Sequence, residues 1–216
     1  ILGAYFILNQ SYLLGALCLQ LKNFLDAADG EWARQNNRPS YVGRYYDSFG
    51  DFICNVCMHY AIFKVTNASL LVLGCGVLFS HLQVSLNVYY NLIYIHQCKE
   101  STVLRWNESV KPNGYEYDNK FFLSMLHILF KLIYAWQDRM IQFINKRSEH
   151  KRISKSFMSF ISVLGLGAQL LLTSLLLVFN CIHLYWIINI FGLSIIACLS
   201  IVIRWVKKDT KLICNP

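Results

Sequence analysis

The sequence predicts an all-α fold, a polytopic bundle of membrane-spanning helices. Three observations carry that prediction. Apolar residues make up 56% of the 216 and fall in long runs, not in the short alternating blocks of a soluble core. The charged residues collect between those runs, as expected when a charge at the centre of a bilayer costs roughly 2.5–3.5 kcal/mol on insertion scales. Only three prolines interrupt the chain.

Residues 1–9 read as the last turns of an apolar segment, so a first span is expected to be largely missing from this sequence. No charged n-region or small-residue cleavage site marks a signal peptide. Residues 11–33, 45–65, 69–95, 157–179 and 183–205 each supply about 20 mostly apolar residues, the length a helix needs to cross roughly 30 Å of hydrocarbon. Six transmembrane helices are therefore expected in a full chain. The connections at Asn9–Gln10, Thr66–Ala68 and Asn180–Ile182 are short enough to make their neighbours antiparallel.

Lys and Arg fall on one side: Arg34, Arg38 and Arg44, the basic loop 97–156, and the tail with Arg204, Lys207, Lys208 and Lys211. By the positive-inside rule that side is cytoplasmic. Within the loop, Phe122, Met125, Leu126, Leu129, Ile133, Trp136, Met140 and Ile144 recur at three- and four-residue steps, and Lys131, Asp138, Arg139 and Lys146 break any spanning run. The pattern predicts an amphipathic helix lying on the membrane surface or against the bundle, not a further span.

One membrane domain covering 1–216 is the simplest organisation, since no repeat or low-complexity linker appears. The net charge of +8 is explained by orientation and by contact with anionic headgroups, without nucleic acid. Of eight cysteines, Cys18, Cys54, Cys57, Cys75, Cys181 and Cys198 lie in apolar runs and read as free packing residues, the C-x-x-C at Cys54 and Cys57 included.

Four aspartates sit where membrane helices least favour them. On a helix, Asp26, Asp29, Gly30 and Ala33 share one face, as do Gly43, Asp47 and Asp51. The short link between the two segments makes them antiparallel, so four carboxylates converge. Such a cluster requires cations, because like charges at close range in a low-dielectric site cannot all stay ionised unpaired. Hard oxygen ligands suit Mg²⁺ or Mn²⁺, and two such ions fit in-line phosphoryl transfer. Gly30, Ala33 and Gly43 leave room beside the carboxylates, and Arg34 adds a guanidinium able to grip phosphate.

Taken together, Asp26-Ala27-Ala28-Asp29-Gly30-Glu31-Trp32-Ala33-Arg34, eight residues, then Gly43-Arg44-Tyr45-Tyr46-Asp47-Ser48-Phe49-Gly50-Asp51 fill every fixed position of D-x-x-D-G-x-x-A-R-x8-G-x3-D-x3-D. The segment resembles the signature of the CDP-alcohol phosphotransferases (CDP-alcohol phosphatidyltransferases). The resemblance implies a six-helix bundle, a homodimer, and an active site near the cytoplasmic face. It also implies that Asp26, Asp29 and Asp47 ligate metal, that Asp51 contributes to the metal site and acts as general base, and that Asp29, Gly30, Ala33, Arg34 and Gly43 bind the CDP substrate. The activity implied moves a phosphatidyl or related group from a CDP-activated donor, commonly CDP-diacylglycerol, to an alcohol with release of CMP. The signature is shared by relatives that join CDP-choline or CDP-ethanolamine to diacylglycerol.

Three residues extend the site as a candidate acceptor pocket. Lys22 is open to two readings, binding an anionic acceptor or pairing with a carboxylate. Asn55 and His59 continue the Asp47–Asp51 face by four-residue steps, although a lone membrane histidine also serves as a hydrogen-bonded packing residue. The rival class is an ion-coupled carrier, for which inverted repeats and Gly- or Pro-broken helices are expected.

Overall fold

The structure, a computed structural model, describes residues 1–36, 40–99, 112, 114–115, 118–148 and 151–206, without the side chains of residues 33, 34, 98, 99 and 147. All regular structure there is helical: α1 (Leu2–Leu8), α2 (Tyr12–Gln35), α3 (Tyr41–Thr66), α4 (Leu70–Lys99), α5 (Lys120–Asn145), α6 (Lys155–Ile161), α7 (Leu166–Val178) and α8 (Leu193–Val206). The basic tail residues Lys207, Lys208 and Lys211, and Arg38 of the α2–α3 link, lie outside the described residues.

The three short connections fall where the sequence places them. Each carries one residue in the left-handed region, Gln10 (φ 57°), Asn67 (φ 50°) and Asn180 (φ 54°). Asparagine tolerates that conformation better than most residues, so two of the turns close without glycine. Ser40 starts α3: its hydroxyl accepts the Gly43 N–H at 2.9 Å, which satisfies one of the orphan donors of the first turn.

Among the described residues two helical segments are long and apolar enough to cross a membrane unaided, Leu70–Gln97 and Ile182–Val206, and a third qualifies if Lys155–Leu164 and Leu166–Val178 count as one bent span. The expected span 157–179 is formed by two helices that meet at 52°. Gly165, at the joint, is extended (ψ 152°), and a Cβ there would sit 3.0 Å from the Asn87 amide nitrogen. The close approach of Asn87 leaves little room for a side chain at this position. In contrast α2 and α3, with 24 and 26 residues, have the length of spans and carry the charged site.

Helix α5 settles against the bundle. Asp118, just before it, binds Ser40 and Tyr41 at the start of α3; at its far end Asn145 accepts the Tyr90 hydroxyl of α4 at 2.7 Å. Beyond it the Ser148 carbonyl receives the Arg204 guanidinium from the last turn of α8. Because α3 and α4 form a hairpin, the start of one and the end of the other share a side, so α5 begins and finishes at the same end of the bundle. The face it buries differs from the stripe expected: Leu123, Leu126, Phe130, Gln137, Ile141 and Asn145 turn inward, while Phe122, Met125, Trp136 and Met140 stay exposed. Polar partners decide the rotation, with Gln137 accepting from Ser85 at 2.8 Å while Asn145 meets Tyr90.

Buried polar residues tie the remaining helices, as in membrane bundles where hydrocarbon offers no competing partner. Gln83 donates to the Asn189 carbonyl and to Ser194, and its own carbonyl accepts from Gln169. The π-turn Ile187–Gly192 in the last span exposes that Asn189 carbonyl. The six apolar-run cysteines are free thiols, as expected.

Candidate functional site

The second half of α2 and the first half of α3 meet through their long polar side chains, while α1 packs against both helices. Carboxylate oxygens of Asp26, Asp47 and Asp51 lie within 4.8 Å of one another. Asp26 and Asp51 are half-buried and Asp47 is exposed. Asp29, one turn beyond Asp26, is exposed and stands outside this trio, close enough for its charge to bear on Asp47 and Asp51. Three of the four predicted carboxylates therefore meet directly.

Lys22 reaches into the cluster, its ammonium pairing with both Asp26 and Asp51. Of the two readings open for this residue, the structure has the carboxylate pairing. A cation is thus held at the point where the carboxylates concentrate negative charge. A hard, oxygen-only donor set of this kind is what Mg²⁺ and Mn²⁺ require, so Asp26, Asp47 and Asp51 fit a divalent ion.

Two cavities border the trio. One, about 310 Å³, runs between α1, α2, α3 and α7; its walls are apolar (Leu19, Leu25, Met58, Leu170) and its acidic end is formed by Lys22, Asp26 and Asp51. The other, about 280 Å³, lies between α3, α4, α5 and the start of α7 and is the more polar of the two, with Asp47, Asp51, Asn55, His81, Ser85 and Asp138 among its lining residues. Asp51, Asn55 and Leu166 line both. Asn55 is buried and accepts the Ser80 hydroxyl at 3.2 Å.

His59 departs from the expected acceptor pocket. It is fully enclosed, its Nδ1–H donating to the Asn55 carbonyl and its Nε2 accepting the Tyr185 hydroxyl, both at 2.9 Å, with Trp186 against the ring. It lines neither cavity, because the α3 face that begins at Asp47 passes into the core one turn after Asn55. Gly43 is exposed, and among the described residues a Cβ there would meet only Ser40, at 3.4 Å. Gly30 is partly buried on the same helix face as Asp26. The side chains of Ala33 and Arg34 lie outside the described residues.

The polar cavity draws on residues that motif reading passes over: Ser48, His81, Ser85, Asn87, Tyr134 and Asp138. The Tyr134 hydroxyl donates to the Ser48 carbonyl at 2.9 Å, which anchors α5 over the cavity. A signal existed, in that His81 and Ser85 sit four residues apart in a long apolar run and so share a face.

A carboxylate trio able to hold a divalent ion thus borders two cavities in a helical bundle with membrane-length segments. Residues 1–146 match the family model for CDP-alcohol phosphatidyltransferase, and the chain belongs to that family. The match extends well past the aspartate signature and takes in α5, which the signature alone leaves as an elaboration. Neither a curated protein nor a solved structure matches the chain.

Proposed function

We propose that this protein transfers a phosphatidyl group from CDP-diacylglycerol to an alcohol hydroxyl, releasing CMP, in phospholipid synthesis. The observation that carries the reading is Asp51, which lines an apolar and a polar cavity at once while its carboxylate meets Asp26 and Asp47. An apolar space for lipid and a polar space for an alcohol on either side of one carboxylate suit a reaction that joins the two.

Asp51 accepts the proton of the acceptor hydroxyl. The alcohol oxygen then bonds to the phosphorus distal to cytidine, the bond from that phosphorus to the bridging oxygen breaks, and CMP departs with the electron pair. General-base assistance of this kind typically contributes roughly 100- to 10,000-fold. Gly30, Ala33, Arg34 and Gly43, with Asp29, cradle the CDP moiety. Asp26, Asp29, Asp47 and Asp51 would hold two divalent ions, Mg²⁺ or Mn²⁺, whose chemistry when bound is to neutralise diphosphate charge. Lys22 supports the carboxylates until those ions arrive. The chain works as a single multi-pass membrane domain and a homodimer, with its acidic end at the cytoplasmic face where the basic residues collect.

The test is CMP release from CDP-diacylglycerol with Mn²⁺ and a panel of alcohols. Asp51→Asn is expected to lower turnover by at least about 100-fold while donor affinity survives. Unchanged turnover would remove Asp51 from the role of base, and absence of CMP release with every donor and alcohol would reject the activity.

A further inference from the structure

We propose that the first turn of α7, completed by Asn55, is an anion site for the phosphate that stays on the lipid when CMP leaves. The proposal rests on the phosphotransferase reading and adds a binding element from a helix beyond residues 1–146, the part of the chain that the family model matches.

The span formed by α6 and α7 is broken beside the carboxylates. Gly165 is extended there (ψ 152°), and α7, 13 residues long, starts afresh at Leu166 with no side chain capping it. Interrupted helices are tolerated at membrane depth where the break lines a cavity, and the N-termini of such half-helices are aimed at anionic groups. Leu166 lines both cavities, a property that it shares among the described residues with Asp51 and Asn55 alone. The N–H groups of Leu166, Gly167 and Ala168 have no acceptor among the described residues; that of Gln169 is the first to be taken, by the Gly165 carbonyl at 3.0 Å. Asp51, in the same walls, is engaged by Lys22 and accepts from none of them. Gly167 leaves the turn bare, and a Cβ there would sit 2.8 Å from Asn23 Oδ1. Orphan donors at the positive end of a helix dipole suit a phosphate.

Asn55 gives an independent sign of a ligand. It is only 3% exposed, and its carbonyl oxygen accepts the Ser80 hydroxyl at 3.2 Å. Its NH₂ group has no acceptor among the described residues, although the residue stands in the wall of both cavities. Buried polar groups almost always have a partner, so two N–H donors held there call for an acceptor from a ligand. His81, 8% exposed in the wall of the second cavity, has an Nε2 that is likewise unpartnered.

The chemistry selects the anion. With lipid in the apolar cavity and the acceptor hydroxyl at Asp51, the phosphorus that changes partners lies between them, where Leu166 and Asn55 stand. That phosphorus is bonded to the diacylglycerol oxygen before and after transfer, so a fixed set of donors can hold its non-bridging oxygens throughout. Amide N–H groups suit the task because they neither titrate nor compete with the aspartates for cations.

The full chain in detergent, with Mn²⁺ and no acceptor alcohol, is titrated with CDP-diacylglycerol, phosphatidate and CMP, and binding is followed by tryptophan fluorescence. Ala168→Pro deletes one donor from the first turn, where proline is tolerated, and Asn55→Leu deletes the side-chain amide at nearly constant shape. Each is expected to raise Kd for CDP-diacylglycerol and for phosphatidate roughly tenfold, while Kd for CMP, which lacks the lipid phosphate, stays within about twofold. Ala168→Gly keeps the N–H and should bind all three as the unaltered chain does. Leu166→Asp sets a carboxylate on the amides and should bind CDP-diacylglycerol at least about tenfold more weakly than the neutral Leu166→Asn, so the turn is tested even if Ala168→Pro does not fold. Equal affinity in Leu166→Asp and Leu166→Asn, or CMP weakened in step with the lipids, overturns the anion site. An unchanged Kd in Asn55→Leu overturns the part given to Asn55. Those results, with CMP still released by the unaltered chain once an alcohol is added, leave the phosphotransferase reading standing; an unaltered chain that neither binds CDP-diacylglycerol nor releases CMP rejects both.

Discussion

Lys22→Met removes the cation that the carboxylates hold for themselves. Lys22 pairs with Asp26 and Asp51, and the three side chains are 25%, 35% and 26% exposed. That places the pairs between surface ion pairs, each contributing about 0.2–1 kcal/mol, and fully buried ones, whose disruption costs about 3–5 kcal/mol. With solvent screening at partly exposed groups, the loss comes to roughly 1–3 kcal/mol for both pairs together. At about 2–4 °C per kcal/mol for a chain of this size, Tm in EDTA should drop by roughly 2–12 °C. Divalent ions should reverse the drop, because a ligand that binds only the folded state stabilises it, and the variant no longer has an ammonium competing for the same oxygens. Thermal unfolding in detergent, followed by tryptophan fluorescence with EDTA or with Mn²⁺, reads both effects. The metal-induced rise in Tm should be larger in Lys22→Met than in the unaltered chain. An unchanged Tm in EDTA together with an equal response to Mn²⁺ would refute the idea that Lys22 stands in for a metal.

Two further predictions concern the frame around the site. Burial alone would push the Asp118 carboxyl up, but the Ser40 hydroxyl and the backbone N–H groups of Tyr115, Tyr41 and Val42 outweigh it and hold the carboxyl below the usual carboxylate range. Its stabilisation is therefore complete above the ordinary carboxylate value of about 3.9 and is lost as pH falls through the depressed one. Asp118→Ala should cost about 1.5–3 kcal/mol at neutral pH and flatten the acid limb of a stability-against-pH curve; an unchanged limb would count against the tie. At Gly76, an added Cβ would lie 2.4 Å from Trp186 Cζ3 and 2.9 Å from Cε3, so Gly76→Ala should destabilise by roughly 1–3 kcal/mol through displacement of that ring. Wild-type Tm in this variant would mean that Trp186 moves freely.

The site's skeleton was legible because it depends on local spacing. Carboxylates at three- and four-residue steps must share a helix face, and a short link must reverse the chain, so Asp26, Asp47 and Asp51 could be brought together on paper. The turns at Asn67 and Asn180 and the amphipathic character of α5 were legible for the same reason. What escaped depends on partners distant in sequence. Nothing near Gly165 announces that Asn87, on another helix, will approach it closely. His59 has the same spacing as Asn55, yet Tyr185, 126 residues on, draws it into the core. Ser85 and Tyr90, through Gln137 and Asn145, choose which face of α5 turns inward. The second cavity is assembled from α3, α4, α5 and the start of α7, and only the His81–Ser85 spacing on α4 hints at it in the sequence.

The most direct test is to titrate Mn²⁺ into the purified chain, follow bound ion by electron paramagnetic resonance, and measure CMP release from CDP-diacylglycerol on the same samples. Saturable binding is predicted, with CMP release absent in EDTA and rising with occupancy, and with both lost or weakened at least about tenfold in Asp47→Asn, in line with removal of a metal ligand. Full turnover in EDTA, or Mn²⁺ binding untouched by Asp47→Asn, would contradict a cation held among Asp26, Asp47 and Asp51.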